Sequence, residues 1–309
     1  MASLDGKVAL VTGDGTGIGA AIAEIFAGAG ACVAVTGRRS APLAQTLQRI
    51  TQEGGSALAA CADVADLAAT SAAVDKVLDR FGRLDIVVAN AGIQLERRPV
   101  LDYTPEDWHR VMDINLSGVW NTAKVSVQPL VRAGGGSLII IGSGLARVTA
   151  GGSGAYAVAK AGASALTRVL AAELRGNNIA VNELIPGPTR TAGTGAGSET
   201  GQRWMDLGEW FKDPAEVARL ALFVATLPPW VLPARCSALL AGSCSRATPR
   251  SWDLLLRPPG EPSPIAFLHA GTHPAGSPHR SPAARCLAAA LHSAAARYPP
   301  PPRCAHRSR

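Results

Sequence analysis

Several features are scarce in this chain of 309 residues, and each scarcity closes off a class of protein. No apolar run is long enough to cross a bilayer, which takes about 20 residues. The opening Met1-Ala2-Ser3-Leu4-Asp5-Gly6-Lys7 has no apolar core of the kind a secretory leader needs. Metal-ligand spacing is missing too: Cys236, Cys244, Cys286 and Cys304 are scattered, and Cys304-Ala305-His306 stands alone. Cys32 and Cys61 fall in or beside apolar runs and read as buried thiols. Lysine is absent from residue 230 onward. There, 10 of the 30 basic side chains, all Arg, face 2 of the 23 acidic ones, a net charge of +8. The remaining 20 basic and 21 acidic side chains leave residues 1–229 at −1. The overall charge of +7 therefore belongs to the end of the chain and not to its body. Without lysine or a repeated basic motif, that end does not read as a nucleic-acid ligand. The body is expected to be cytoplasmic, with no nucleic acid and no membrane as partner.

The same end holds 13 of 22 prolines, 5 of 6 histidines and 4 of 6 cysteines, and lacks a periodic apolar pattern. Residues 230–309 are therefore expected to form a disordered Pro/Arg/Ala-rich tail, although 283–297 has the composition of one helix. Residues 1–229 form the folded body.

Within the body, short apolar runs alternate with helix-forming stretches. Strands are expected at Lys7–Val11, Ala31–Thr36, Ser56–Ala60, Leu84–Ala89, Ser137–Ile141 and Ile179–Leu184. Helices are expected at Ala20–Ala29, Ser40–Gln52, Leu67–Phe81, Pro105–Arg132 as one long helix, Ala155–Arg175 and Pro214–Leu227. The last of these has Asp213 as its N-cap and Pro214 at its first position. Leu84–Ala89 is continuously apolar, as a strand buried on both faces should be. Strands alternating with helices imply an α/β fold: a parallel, doubly wound sheet of the Rossmann type in a single domain.

Two local patterns carry chemistry. Thr12-Gly13-Asp14-Gly15-Thr16-Gly17-Ile18-Gly19 lies between a strand and a helix. In that context glycines let the backbone turn tightly and approach a pyrophosphate at the helix N-terminus. Further on, Tyr156 and Lys160 stand four residues apart, with Ser143 thirteen residues before Tyr156. On a helix, such a pair shares one face. A cation beside a phenol favours the phenolate, and a serine hydroxyl can bond a substrate oxygen. Together these groups can move a proton on and off an alcohol.

Residues 4 to about 229 resemble a short-chain dehydrogenase/reductase. The resemblance is carried, in family order, by the glycine motif, Asp63-Val64, Asn90-Ala91-Gly92, Asn115, Ser143, Tyr156-x-x-x-Lys160 and Pro186-Gly187-Pro188-Thr189-x-Thr191. It implies that Gly13, Gly17, Ile18 and Gly19 form the cofactor turn. Asp63 would bond the adenine amine, with Val64 lining its pocket. Asn90 would sit next to the cofactor ribose and brace the sheet. Asn115 would hold a water at a helix kink in a proton relay. Ser143 would polarise the substrate carbonyl, and Tyr156 would be acid in reduction and base in oxidation. Lys160 would bond the nicotinamide ribose and lower the phenol's pKa. Moving it from about 10 to about 7 corresponds to roughly 4 kcal/mol. Pro186 and Gly187 would form the turn that brings Thr189 and Thr191 to the carboxamide or phosphates.

The second expected strand ends Val35-Thr36-Gly37-Arg38-Arg39. An acidic residue there would bond a ribose 2′-hydroxyl, whereas Arg accommodates a 2′-phosphate. Gly37 takes the acidic position and guanidiniums follow, so Arg38 points to NADP, with NAD as the alternative. Thr16 is not basic, so a second phosphate clamp in the glycine turn is missing. The substrate is a small carbonyl compound or alcohol. Residues 192–210, expected to cover it, are small and polar at first, with Trp204, Trp210 and Phe211 beyond.

After Pro229 the chain leaves the family pattern, which should continue into one more strand. Trp230 to Cys244, back-translated with permissible codons and read two nucleotides later, gives Gly-Ala-Pro-Gly-Gln-Val-Phe-Ser-Leu-Ala-Gly-Arg-Val-Leu, a credible final strand. The tail is therefore read as out of frame, with the final strand missing or replaced. The homo-oligomer usual in the family is put in question, because its pairing surface uses that ending. Two functions stand: an NADP-dependent carbonyl/alcohol oxidoreductase, or a dinucleotide-binding fold compromised by the loss of its last strand.

Overall fold

The computed structural model describes residues 3–13, 15–147, 151–191 and 211–227, together with the backbone of Leu239–Leu240. The chain divides into two units, Met1–Leu255 and Leu256–Arg309, and every described residue lies in the first. Residues 192–210, with Trp204 and Trp210, lie outside the described residues. So do Cys236, Cys244, Cys286, Cys304, the helix expected at 283–297 and the rest of the tail.

Seven parallel strands form one sheet: β1 (Val8–Thr12), β2 (Cys32–Gly37), β3 (Ala57–Cys61), β4 (Ile86–Ala89), β5 (Gly136–Ile141), β6 (Ile179–Ile185) and β7 (Leu239–Leu240). Their order is β3-β2-β1-β4-β5-β6-β7. The order reverses between β1 and β4, and in such sheets the crevice at that point, outside the carboxyl ends, is where ligands bind.

The helices are α1 (Gly17–Gly28), α2 (Ser40–Gln52), α3 (Leu67–Phe81), α4 (Pro105–Met112), α5 (Gly118–Arg132), α6 (Gly154–Glu173) and α7 (Pro214–Thr226). The continuous apolar strands are explained by two cores. Ala9, Val11, Ile86, Val88, Ile139 and Ile141 join Ile22 and Phe26 of α1, Leu43 and Ile50 of α2, and Val217 and Val224 of α7. Val8, Leu10, Val87, Leu138 and Ile140 join Val74 and Val77 of α3, Leu130 of α5 and Ala163 of α6. Alternate residues of each strand thus serve opposite layers. Each fully buried Leu, Ile or Phe contributes about 1.5–3 kcal/mol relative to exposure.

Side chains fix several helix starts. The Asp66 carboxylate accepts from the amides of Ala68 (2.8 Å) and Ala69 (3.0 Å) to start α3. Asp213 accepts from Ala215, while Glu216 accepts from the Asp213 amide, both at 2.8 Å, closing a capping box ahead of Pro214.

Three expectations change. The first helix starts at Gly17 rather than Ala20, inside the glycine motif. The helix expected over 105–132 is broken by a π turn at Asp113–Ser117. Cys61 is exposed, because it ends β3 at the edge of the sheet, and Cys32 is half-buried. The final strand, expected to be missing or replaced, is replaced: Leu184 and Ile185 pair in parallel with Leu239 and Leu240. The final strand is thus two residues long and comes from the divergent segment. Among the described residues no helix is long and apolar enough to cross a membrane.

Candidate active site

The carboxyl ends of the strands bring together residues far apart in sequence. At the switch point, Thr12 ends β1 and Asn90 follows β4. The Thr12 hydroxyl donates to Val88 O (3.3 Å) and accepts from the amides of Asn90 (3.1 Å) and Ala91 (3.2 Å). The Asn90 side-chain amide donates to Thr12 O at 2.8 Å. A Cβ on Gly13 or on Gly19 would collide with that same amide nitrogen. Gly13 also has φ +129°, which a side chain disfavours. Asn90 is thus wedged under the turn that Gly13, Gly17, Ile18 and Gly19 make into α1. Its bracing of the sheet is observed directly. Thr12, its partner, was not singled out from the sequence; a hydroxyl closing the apolar run Val8–Thr12 was the available signal.

Past β6, Pro186 and Gly187 turn the chain, Gly187 with φ +67°. Thr189 is buried, and its hydroxyl donates to Gly187 O at 3.2 Å. Thr191 comes back to the glycine turn, where a Cβ on Gly17 would lie 2.9 Å from its methyl. Thr16, Gly17, Arg49, Arg190 and Thr191 line one surface hollow at the start of α1.

Arg38 and Asp63 face each other beyond β2 and β3, with guanidinium and carboxylate 3.9 Å apart and both substantially exposed. Asp63 also accepts from the Ala65 amide at 3.0 Å. Val64 is buried against α5, where a Cβ on Gly118 would lie 2.7 Å from its methyl. Asn121, one turn along α5, donates to the carbonyls of Val64 (2.8 Å) and Ala65 (3.2 Å) and fixes this turn. The sequence reading missed it.

Asn115 sits, fully buried, in the π turn. Its side-chain amide donates to Ile93 O and Val111 O, both at 2.9 Å, and its oxygen accepts from the Ile93 amide at 3.2 Å. These bonds tie the loop after β4 to the helix break. Such π turns are frequent at functional sites.

Ser143 follows β5, and its hydroxyl accepts from the Leu145 amide at 3.2 Å. Tyr156 lies in the first turn of α6, near the Ser143 side chain. Lys160, one turn on, is buried; its ammonium donates to Ile141 O at 2.8 Å and lies 5.8 Å from the Tyr156 ring centre. Burial pushes the lysine down from 10.5 to about 8, against an opposing pull from Glu183. Burial also pushes the Tyr156 phenol up, and the Ser143 side chain pulls it down less strongly. The phenol is thus raised by desolvation and not lowered by Lys160 as expected.

This site can hold a dinucleotide along the carboxyl ends of β1, β2 and β4 and present a phenol and a hydroxyl to a carbonyl beside β5. The turn made by Gly13, Gly17 and Gly19 is a cradle that a Cβ would fill, and it opens onto a helix N-terminus. Among the described residues no cluster of His, Cys, Asp or Glu could hold a metal ion.

Sheet order, glycine turn and serine–tyrosine pair together define a dinucleotide-dependent oxidoreductase. The short chain dehydrogenase family model matches residues 7–201, and the chain belongs to that family. It is 34% identical over 228 residues to the D-threitol dehydrogenase of Mycolicibacterium smegmatis, covering 72% of this chain and 87% of that protein. It is 33% identical over 232 residues to the 3-oxoacyl-(acyl-carrier-protein) reductase of Chlamydia pneumoniae, covering 72% of this chain and 91% of that one. Among solved structures it resembles one from Beutenbergia cavernae assigned as an NAD(P) dependent gluconate 5-dehydrogenase, with NADP bound at low occupancy. That match has TM-score 0.66 and 35% identity, and covers 72% of this chain and 90% of the other. A dehydrogenase/reductase from Sinorhizobium meliloti superposes with TM-score 0.72 at 32% identity, covering 78% and 96%. The protein is an NAD(P)-dependent dehydrogenase/reductase of this family.

Proposed function

We propose that the chain is an NADP-preferring oxidoreductase that interconverts a carbonyl and an alcohol, with Tyr156 as the proton-transfer group. The observation that carries this reading is buried Lys160 one helix turn beyond Tyr156, its ammonium 5.8 Å from the ring centre and bonded to Ile141 O at the end of β5, with Ser143 just past that strand. NADP(H) supplies the hydride donor or acceptor when bound. In reduction, Ser143 bonds the substrate oxygen and Tyr156 gives up its proton to it; in oxidation Tyr156 takes that proton back. A phenol pushed up by burial is protonated at neutral pH, the state needed for the acid role in reduction. Lys160 holds a positive charge beneath the phenol and would meet the nicotinamide ribose, while Asn115 holds the loop after β4 in place for the proton relay.

Arg38 would meet the 2′-phosphate, and no carboxylate from β2 competes, since Gly37 ends that strand. Asp63 and Val64 would hold the adenine, and Gly13, Gly17, Ile18, Gly19, Asn90, Pro186, Gly187, Thr189 and Thr191 the rest of the dinucleotide. The reading as a fold inactivated by loss of its last strand is disfavoured, since Leu239–Leu240 fill the seventh place.

The relatives' names span a polyol dehydrogenase and a ketoacyl reductase, so the test uses both substrate classes. NADPH oxidation is followed with a panel of ketones and 3-oxoacyl thioesters, and NADP reduction with a panel of polyols, each repeated with NADH or NAD. Turnover with any of these, faster with the phosphorylated cofactor, is expected. Turnover with no substrate while NADPH binds would refute the reading.

A further inference from the structure

Lys160 is buried where a charge is costly, and its ammonium is spent on a carbonyl dipole, Ile141 O, at 2.8 Å. Any full negative charge that steadies it must also lie inside the protein. One does, beside Asn182 in a strand whose other residues are apolar. β6 reads Ile179-Ala180-Val181-Asn182-Glu183-Leu184-Ile185, and Glu183 is fully buried. One Glu183 carboxylate oxygen accepts from the Ser164 hydroxyl at 2.9 Å and from the Arg147 guanidinium at 3.4 Å. Ser164 is one turn beyond Lys160 on α6, as Lys160 is one turn beyond Tyr156. The carboxylate is therefore seated on the helix face that carries both catalytic candidates.

Gly142 makes room for it. A Cβ there would strike the other carboxylate oxygen and come within 2.8 Å of the carbons behind it. The residue directly before Ser143 thus has no side chain where Glu183 lies.

We infer that Glu183 is a positioning residue that serves as the internal counter-ion of Lys160, acting through space from its seat on Ser164. The inference rests on the proposed roles of Tyr156 and Lys160. Burying one charge favours keeping an opposite one nearby, because attraction in a low dielectric offsets part of the desolvation. Glu183 is the charged group whose field raises the Lys160 pKa against the effect of burial. Among the described residues, Tyr156 shares the helix face of Lys160, Arg168 donates to Ser164, and Arg147 pairs with Glu183 from after β5. The π turn presents Asn115, which is uncharged, and β5 presents the Ile141 carbonyl.

The test is Glu183→Gln, which keeps the size of the side chain and its ability to accept from Ser164. Lysine titration is read by NMR on protein with 13C-labelled lysine, the Lys160 signal being assigned by its absence from Lys160→Met. The expected result is a Lys160 titration at least about one unit lower than in the native chain. The alkaline limb of the pH–kcat profile should move down by the same amount, which is about tenfold in kcat on that limb. Activity near pH 6 and the KM for NADPH should change little, and Glu183→Asp should restore the native profile in large part.

Ser164→Ala, which removes the seat but keeps the carboxylate, should shift the titration the same way by less. An unmoved Lys160 titration in either variant, or an activity loss equal at every pH, would overturn the inference. So would failure of both variants to fold, which would make Glu183 purely structural. A native enzyme inactive on every substrate would count against the proposed function while leaving the NMR titration to decide this one.

Discussion

The ammonium of Lys160 donates to the main-chain oxygen of Ile141 at 2.8 Å, joining the second turn of α6 to the last residue of β5. This places a buried cation at the carboxyl edge of the sheet, beneath Tyr156, at a cost to stability. Lys160 titrates near 8 in the folded chain against 10.5 for a free lysine. Between those values the unfolded chain binds more protons, so stability rises with pH; below 8 the whole cost is present. The difference corresponds to about 3 kcal/mol. Lys160→Met should therefore melt higher than the native chain at pH 7, with the gap closing as pH rises towards 10. Activity should be lost in the same variant. A Lys160→Met chain that melts lower at pH 7 would show that the ammonium is a net stabiliser.

Tyr156→Phe keeps the ring, its packing and its place over Lys160, and removes only the hydroxyl. Turnover should fall by about 100-fold or more, the scale of a lost general acid, while the Kd for NADPH changes by less than about threefold. Steady-state rates and a fluorescence titration of NADPH separate the two quantities. Retention of more than about a tenth of native turnover would remove Tyr156 from the proton-transfer role.

Arg38→Asp reverses charge where a 2′-phosphate would lie. It also breaks the contact with Asp63, 3.9 Å away, and sets two carboxylates against each other. The ratio of kcat/KM for NADPH over NADH should drop by at least about tenfold, since a charged hydrogen bond is worth about 1.5–3 kcal/mol. An unchanged ratio would show that Arg38 does not contact the 2′-phosphate.

Much of this architecture was legible because the signals were redundant. β4 and β5 are apolar on both faces, and α2 and α3 fall where they were expected. The spacing of Tyr156 and Lys160 is recovered as a contact because a helix face repeats about every four residues, and Ser143 reaches them from the end of β5. What was not legible depends on groups that meet only after folding. The resemblance named Asn115 and a kink there, but not that its side chain binds two main-chain carbonyls where the path widens into a π turn. Glu183 interrupts an apolar strand and looks like noise until Ser164 and Gly142 are seen around it. Asn121 acts on the backbone of a distant turn, which no local pattern announces, and Thr12 does the same with only its place at the end of an apolar run to mark it. Leu239–Leu240 are too short to be read as a strand and exist as one only against Leu184–Ile185.

The last expectation concerns that seventh strand. Two residues pair with the end of β6, while β6 itself runs seven residues from Ile179 to Ile185. Most of that edge therefore has no partner in β7, and an unpaired edge is a template for association with other chains. If the tail from Trp230 is out of frame, it was never selected to cover this edge. Replacing 230–309 with Gly-Ala-Pro-Gly-Gln-Val-Phe-Ser-Leu-Ala-Gly-Arg-Val-Leu supplies an alternating apolar strand of fuller length in the same place. That chain should melt several degrees higher, since 1 kcal/mol moves Tm by about 2–4 °C in a protein of this size. It should also run as a discrete homo-oligomer. Ending the chain at Pro229 removes Leu239–Leu240 as well, and should melt below the native protein. Thermal melting and sizing of the three chains side by side decide the matter. A native chain that is the most stable of the three and already a discrete oligomer would make the tail a selected part of the structure, and the frameshift reading would fall.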